Sequence, residues 1–271
     1  MKVSIAQLDS TDDVERNLAR IEEMAATAAG QDADLVVFPE FAMYDLPQPD
    51  HRFVEVAEPL DGPFTQALRR TAARHGVAIV AGMLESIEGE DRAHNTLYVA
   101  GPNGEYLAHY RKVHLYDAFM AKESDLIRPS EADGPVLFEV AGTTVGLSTC
   151  YDIRFPESSR ELAAAGADLI VLAASWVPGP RKEDHLHVLG RARAIENTVY
   201  FLTACQAPPI STGGSVLLDP MGVVVGELGE KPEVRTFEVD KERIAAVRRV
   251  NPCLTDRRFE VRRLATAGVV D

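Results

Sequence analysis

The 271-residue chain is 46% hydrophobic and has no Ser/Gly-rich or Pro-rich linker, so we expect one large domain over residues 1–271. Its formal net charge of -14 argues against a nucleic-acid or anionic-membrane partner, because both require basic patches. The three cysteines are far apart and include no Cys-x-x-Cys pair, which argues against a disulfide framework and a zinc ribbon.

The first predicted element is a strand over residues 3–8, and Asp9 interrupts it before an apolar core of signal-peptide length can form. No later apolar stretch approaches the roughly 20 residues that a membrane-spanning helix needs. We therefore expect a cytoplasmic protein that is neither exported nor anchored. Asp12 and Asp13 are candidate caps for a first helix, which is predicted to end near Gly30.

Strands and helices then alternate through the first half of the chain. Residues 33–38 form a short apolar run typical of a strand that is buried on both faces. Pro63 begins a helix that is predicted to run through Arg74 and to end at Gly76. The remaining strands of this half are predicted at residues 77–83, 95–100 and 105–110, the last two forming a hairpin.

The same order of elements begins again at residue 143. Residues 155–164 are predicted to be helical, and the strands are predicted at residues 144–149, 167–172, 198–204, 215–218 and 223–226. The order β-α-β-α-β-β thus occurs twice and indicates internal pseudo-twofold symmetry, although any α/β chain has some periodicity. Two such halves can bury their bare sheet faces against each other. The predicted fold is therefore an α/β protein built as a four-layer α-β-β-α sandwich.

Three reactive side chains stand where predicted strands end. Glu40 follows an apolar run, Lys112 follows the second strand of the hairpin, and Cys150 follows the first strand of the second half. Amide hydrolysis through a thioester requires a base, a cation that stabilises an oxyanion, and a thiol nucleophile. Each residue also has an ordinary interpretation. Glu40 could be a surface carboxylate, Lys112 could form an ordinary basic pair with Arg111, and Cys150 could be a small buried side chain.

The segments around these residues resemble the carbon-nitrogen hydrolase (nitrilase) superfamily, whose members carry a Glu-Lys-Cys triad in this order. The similarity extends from VSIAQLD at Val3 to NPCLTDRR at Asn251, and the Tyr-Arg-Lys-x-His-Leu pattern matches the superfamily's catalytic-lysine segment. The resemblance implies the sandwich fold, an active site between the strand ends of the two sheets, and a homodimer or an assembly of dimers. The tail from residue 251 to 263 is expected to reach across the subunit interface.

We hypothesise that Cys150 attacks the amide carbonyl while Glu40 serves as general base in both half-reactions. Lys112 and the backbone N–H of Tyr151, in a predicted strand-to-helix turn, would hold the oxyanion. Glu123 falls where many superfamily amidases carry an additional active-site glutamate. The resemblance implies that it orients Lys112 and the substrate amide, and a solvated loop carboxylate is the alternative.

Two further residues are candidates for the substrate pocket. Trp176 ends the strand equivalent to the one before Glu40, so it is predicted either to form a pocket wall or to pack in the core with one satisfied N–H. Arg154 offers a planar fork to a substrate carboxylate. Structural pairing, for example with Glu157, is the favoured interpretation of Arg154.

The sequence indicates neither a metal site nor a cofactor. His185 and His187 are two positions apart on a predicted helix and do not share a face, so a metal site there is not expected. No Gly-rich phosphate loop of the Walker or dinucleotide form occurs where a strand meets a helix. The expected partner is a small-molecule amide substrate.

The Cys-Tyr-Asp sequence at residues 150–152 is similar to the amidase-like branch of the superfamily, whereas true nitrilases more often have Cys-Trp-Glu. The segments around Lys112 and Cys150 resemble ω-amidases and deaminated glutathione amidases, which act on amides that carry a carboxylate elsewhere. The predicted function is hydrolysis of a small linear amide of this kind to an acid and ammonia. The alternatives are N-carbamoyl amino acid hydrolysis, nitrile hydrolysis, a Cys-His mechanism, and a non-catalytic binding protein on the same fold.

Overall fold

Two β-sheets and the helices that flank them make up the computed structural model, which describes residues 1–131 and 134–262. The strands in this part of the chain are β1 (Lys2–Gln7), β2 (Leu35–Val37), β3 (Ala78–Ser86), β4 (Ala93–Ala100), β5 (Tyr106–Arg111), β6 (Leu137–Val140), β7 (Thr143–Thr149), β8 (Leu169–Ala174), β9 (Tyr200–Cys205), β10 (Val216–Leu218), β11 (Val224–Glu227) and β12 (Glu233–Glu238). The α-helices are α1 (Val14–Ala29), α2 (Arg52–Glu55), α3 (Pro63–His75), α4 (Pro156–Ala164), α5 (Lys182–Asn197) and α6 (Lys241–Val250). Short 3-10 helices cover Glu123–Asp125 and Cys150–Arg154.

The two sheets have the same strand order. The first sheet runs β12-β1-β2-β3-β4-β5, and the second runs β6-β7-β8-β9-β10-β11. In each sheet three neighbouring strands are parallel, β1-β2-β3 in one and β7-β8-β9 in the other, while the outer strands pair in antiparallel fashion. The correspondence of β1 with β7, β2 with β8 and β3 with β9 is the predicted pseudo-twofold symmetry.

The inner faces of the two sheets are buried against each other. Val37 and Val80 of the first sheet belong to the same apolar cluster as Val145 and Val171 of the second, and all four are fully buried. Burial of apolar surface contributes roughly 25 cal/mol per Å² of area removed from water, so this interface between the sheets is a major source of stability. The β2 strand is apolar on both faces because its outer face is covered as well.

The helices cover the outer faces of the sheets. Ile21 of α1 and Leu68 of α3 pack with Ile79 on the outside of the first sheet. Leu162 of α4 and Leu186 of α5 belong to the corresponding cluster outside the second sheet. Helix, sheet, sheet and helix therefore follow one another in four layers, which confirms the predicted sandwich.

Helix ends fall where the sequence places them. The Asp13 side chain accepts a hydrogen bond from the Arg16 N–H and caps α1, as expected for a short carboxylate at this position. Pro63 is at the first position of α3, where its missing N–H removes no helical hydrogen bond. Gly76 ends α3 with φ +65, a left-handed conformation that glycine adopts at little cost.

The sequence analysis missed the strands and helices with weak apolar patterns. The missed strands are β6 and β12, each of which forms an edge of its sheet. The β12 sequence, EVRTFE, is mostly polar and lies at the edge of its sheet, so it lacks the apolar run that identified the inner strands. Helix α6 carries only Ile244 and Val247 as buried apolar residues.

None of the helices within residues 1–131 and 134–262 is long and apolar enough to cross a membrane. The tail predicted to reach a subunit interface ends at Arg263, which lies outside the described residues. Across the sandwich, Gln7 at the end of β1 accepts hydrogen bonds from the N–H and the hydroxyl of Ser215 in the second half. Its amide also donates to the carbonyl of Gly229 at 2.7 Å.

Candidate active site

The three residues at predicted strand ends lie together between the sheets. Glu40 stands after β2 of the first sheet, Lys112 directly follows β5, and Cys150 directly follows β7 of the second sheet. Their exposed fractions are 1%, 2% and 7%. Two ionisable side chains and a thiol are thus removed from water at one place, which is costly unless they interact with one another.

The Lys112 ammonium is held between two carboxylates. Its Nζ lies 2.8 Å from Oε1 of Glu40 and 3.0 and 2.9 Å from the two oxygens of Glu123. Glu123 is fixed in turn by the backbone N–H of Tyr116, which donates to its Oε2 at 2.6 Å. Glu123 is therefore part of the buried cluster and is not the solvated loop residue that was its alternative.

Asn95 is a member of the cluster that the sequence analysis missed. Its Nδ2 donates to Oε1 of Glu40 at 2.7 Å and to Oε1 of Glu123 at 3.1 Å. The backbone carbonyl of Asn95 accepts the backbone N–H of Lys112, which fixes the start of the lysine segment against β4. Asn95 is fully buried at the start of the strand predicted over residues 95–100, and a carboxamide directly before that strand's apolar run is the signal that would have identified it.

The Glu40 carboxylate is oriented from both sheets. Oε2 accepts the backbone N–H of Ser175, which follows β8, at 2.8 Å. The Gln206 amide donates to the backbone carbonyl of Glu40 and to the Ser10 hydroxyl. Gly82 on β3 allows the Glu40 backbone to approach closely, because a Cβ at position 82 would lie 2.8 Å from the Glu40 Cα. These contacts leave the carboxylate little rotational freedom.

Cys150 occupies a sharp turn between β7 and a 3-10 helix. Its φ is +44, which is uncommon for a side chain with a Cβ and costs on the order of 1–3 kcal/mol. Its Sγ lies 3.9 Å from the carbonyl oxygen of Ser175. Tyr151 follows in the first turn of the 3-10 helix, where backbone N–H groups have no acceptor within the helix.

The cysteine turn is anchored by two buried charged residues. Asp152 accepts hydrogen bonds from the Tyr110 hydroxyl at 2.7 Å and from the backbone and ring of His114, so the turn is tied to both sides of Lys112. Arg193 of α5 donates two hydrogen bonds to the carbonyl of Ile153. His114 and Arg193 therefore act as structural neighbours of the site.

Burial and charge set the protonation of the cluster at rest. Burial raises the pKa of the Cys150 thiol well above its ordinary value, and the Glu40 carboxylate adds to this shift more than the Lys112 ammonium opposes it. Burial lowers the pKa of Lys112, but the charges of Glu123 and Glu40 outweigh burial and hold it well above its ordinary value. The resting site therefore contains a neutral thiol beside a protonated lysine.

Residues 2–249 match the sequence profile of the carbon-nitrogen hydrolase family. The chain belongs to the carbon-nitrogen hydrolase family. As a hydrolase of this family, it acts on carbon-nitrogen bonds other than peptide bonds, and its relatives include amidases. The match covers β1 to α6, and therefore both halves of the sandwich.

Similar proteins place this carbon-nitrogen hydrolase among amidase-type members. It is 40% identical to "Hydrolase Rv0480c" of Mycobacterium tuberculosis over 92% of each chain, and 38% identical to a deaminated glutathione amidase of Escherichia coli O157:H7 over 96% of this chain and 98% of that protein. A solved structure of a mutant amidase from Nesterenkonia sp. AN1, 28% identical, superimposes with a TM-score of 0.79 over 95% of this chain and 96% of that one. That structure shows acrylamide added to the active-site cysteine.

The pocket candidates of the hydrolase have mixed outcomes. Trp176 is 2% exposed and donates its ring N–H to the carbonyl of Lys182 at 2.7 Å, so it packs with a satisfied donor and also follows Ser175 at the site. The predicted ion pair of Arg154 with Glu157 is wrong, because no carboxylate of the described residues lies within 4.0 Å of the Arg154 guanidinium. Arg154 instead lies over the rings of Trp176 and Tyr151.

Asp45 of the hydrolase is a buried carboxyl group behind the site. Its Oδ2 accepts the Ser175 hydroxyl at 2.9 Å, and its Oδ1 accepts the Leu46 N–H at 2.8 Å. Burial raises the pKa of Asp45 to about 8 against the lowering effect of these two hydrogen bonds, and the Glu40 charge also raises it. Asp45 is therefore mostly protonated at neutral pH.

The Asp45→Asn variant is expected to be more stable than the wild type at pH 7, and this advantage should vanish near pH 4. Folding raises the pKa of Asp45 from its ordinary 3.8. The free energy of unfolding of the wild type therefore falls by about 1.4 kcal/mol per pH unit as pH rises from 4 to 8. Asparagine keeps the shape without ionising. Urea unfolding at several pH values measures the difference, and parallel pH profiles of the two proteins would contradict the shifted pKa.

Proposed function

We propose that this chain is a cysteine-dependent amidohydrolase that converts a small linear amide to a carboxylic acid and ammonia through a thioester. The observation that carries the proposal is the position of the Lys112 ammonium, which is fixed between the carboxylates of Glu40 and Glu123. Cys150, which directly follows β7, is buried at the same site. A surface role explains none of these three charged groups, because Glu40 and Lys112 are buried, the Glu123 side chain is only 12% exposed, and both carboxylates contact the ammonium.

In the first half-reaction, the Cys150 sulfur attacks the amide carbon and a carbon–sulfur bond forms. The thiol proton passes to the Glu40 carboxylate, which acts on the thiol both by charge and as a hydrogen-bond acceptor. Glu40 then returns this proton to the amide nitrogen as the carbon–nitrogen bond breaks. Ammonia leaves, and the acyl group remains on sulfur as a thioester.

The negative charge that develops on the carbonyl oxygen needs donors fixed in advance. Lys112 supplies an ammonium whose raised pKa keeps it charged, and its two carboxylate partners hold it in place. The Tyr151 N–H in the first turn after Cys150 supplies a second donor. Removal of one such donor typically costs on the order of 10²- to 10³-fold in turnover.

In the second half-reaction, water cleaves the thioester. Glu40 accepts a proton from the attacking water, and the carbon–sulfur bond breaks to release the acid. The departing thiolate takes this proton from Glu40, which restores the resting site. The high pKa of the buried thiol favours this return to the neutral form.

The substrate class in this proposal is an amide that carries a carboxylate at its far end. The Cys-Tyr-Asp and Lys-Val-His-Leu segments that resemble ω-amidases support it, as does the relative named deaminated glutathione amidase. The Arg154 guanidinium lies beside Tyr151 and has no carboxylate partner among the described residues, which supports the proposal physically, because arginine binds carboxylates through two parallel hydrogen bonds.

Release of ammonia tests the proposal. Monoamides of dicarboxylic acids, N-carbamoyl amino acids and aliphatic nitriles are assayed in parallel with the purified protein. We expect the monoamides to have the highest kcat/KM of the three classes. If the carbamoyl compounds or nitriles are cleaved and the monoamides are not, the proposed substrate class is wrong while the cysteine mechanism stands.

A further inference from the structure

Lys182 is a second cation near the site, and none of the described residues gives it an acidic partner. Lys182, the first residue of α5, is only 5% exposed. Its Nζ donates to the Tyr116 hydroxyl at 2.9 Å, and no carboxylate of the described residues lies within 4.0 Å of it. A lysine ammonium has three N–H donors, so further donors remain for another acceptor.

The position of Lys182 makes an unpaired charge costly. Burial disfavours an ammonium that lacks a counter-ion. The N-terminus of a helix carries partial positive charge, so α5 repels the ammonium rather than stabilising it. Aromatic faces offset part of this cost, because Nζ lies 4.5 Å from the Tyr116 ring centroid and 4.6 Å from that of Trp176. An anion would complete the site.

Arg154 is a second cation over the same aromatic surface. Its guanidinium carbon lies 5.2 Å from the centroid of the Trp176 ring and 6.0 Å from that of Phe119, and Lys182 also lies over the Phe119 ring at 5.3 Å. Its Nη2 contacts Nδ1 of His185 at 3.4 Å, and its Nε is buried with no hydrogen-bond partner among the residues that the structure describes. Two cations thus lie over shared rings with unused donors.

These cations adjoin the catalytic cluster through the chain itself. Trp176 follows Ser175, whose N–H holds Glu40. Tyr116, the hydrogen-bond partner of Lys182, donates its own N–H to Glu123. Tyr151 follows Cys150, and its ring meets the Tyr116 ring edge-on at 5.3 Å. A group bound by the two cations would therefore lie close to the cluster of Glu40, Lys112 and Cys150 and not at a distant surface.

We propose that Lys182, together with Arg154, binds a carboxylate at the far end of the substrate's acyl group and determines specificity for anionic amides. The inference rests on the proposed amidase function and adds the residue that selects the substrate. Lys182 supplies a desolvated point charge and Arg154 a planar fork, a combination that fits the two oxygens of a carboxylate. Lys182 takes no part in bond making or breaking.

The test compares the monoamide of glutaric acid with its methyl ester, which has the same chain without the charge. In the Lys182→Met variant, which keeps the unbranched stem, kcat/KM for the monoamide should fall about 10- to 100-fold, because hydrogen bonds to charged groups contribute that much. The loss should be mainly in KM. Activity on the methyl ester should stay within about twofold of the wild type. Arg181→Met is the matched control, since Arg181 is the exposed cation directly before Lys182 in the chain. This variant should leave kcat/KM for both compounds unchanged.

Binding provides a readout that is independent of turnover. In a Cys150→Ala background, calorimetry of the monoamide should show about 10- to 100-fold weaker binding when Lys182 is also replaced. Equal losses on the monoamide and the ester would overturn the inference and assign Lys182 a structural role. Failure of the wild type to release ammonia from either compound would instead contradict the proposed substrate class, and the binding comparison would still decide the role of Lys182.

Discussion

Replacing Cys150 with alanine is expected to reduce ammonia release from every amide substrate by on the order of 10⁴-fold or more, because no other group in the site can form the thioester. The cavity left by one sulfur atom is small, so the protein should still fold. Steady-state assays measure the loss. Mass spectrometry of substrate-treated wild type should detect an acyl adduct on the peptide that contains Cys150.

Cys205→Ala is the matched control for this variant. Cys205 ends β9 and is also fully buried, but its thiol contacts Thr212 and lies outside the catalytic cluster. Burial raises the pKa of Cys205 to about 11, so it is protonated at neutral pH. Its replacement should leave kcat/KM near the wild-type value. Full activity of Cys150→Ala would refute the mechanism outright.

Replacing Glu40 with glutamine is expected to lower kcat by about 10²- to 10⁴-fold, the usual contribution of a general acid–base group. Glutamine can still accept the Ser175 N–H, so the fold and substrate binding should survive. Because the Glu40 charge raises the pKa of Cys150, this pKa should fall in the variant. Rates of thiol alkylation across a pH series measure that shift.

Glu123→Gln is the companion variant, since it removes the other carboxylate that contacts Lys112. We expect a smaller loss of kcat than in Glu40→Gln, because Glu123 positions the lysine and does not transfer the proton.

A Cys-His hydrolase would keep most of its activity after replacement of Glu40. Such an outcome, with an unchanged pKa of Cys150, would exclude Glu40 as the base.

Much of the fold follows from the sequence because the inner strands are apolar on both faces. The runs before Glu40 and Cys150 stand out for this reason, and β2 and β7 lie where they were predicted. The edge strands β6 and β12 could not be recognised in the same way. Their stability comes from pairing with β7 and β1, and half of their side chains face away from the core.

Site residues can be predicted from the sequence where a reactive side chain follows a clearly apolar strand. They cannot be predicted where the role of a residue comes only from its buried surroundings. Glu40, Lys112 and Cys150 belong to the first group. Asn95, Asp45 and Lys182 belong to the second, because their properties arise from neighbours that are distant in the chain. The expected pairing of Arg154 with Glu157 failed for the same reason, since a residue three positions away in sequence need not be the partner in space.

The hydrogen bonds of Gln7 and Gln206 tie the two halves of the sandwich together, and we expect neither half of the chain to fold independently. Cutting the polypeptide between the halves would expose an entire apolar sheet face on each fragment and leave two buried carboxamides without acceptors or donors. Each fragment would also hold only part of the catalytic set. Activity after proteolytic nicking therefore requires the two fragments to remain associated.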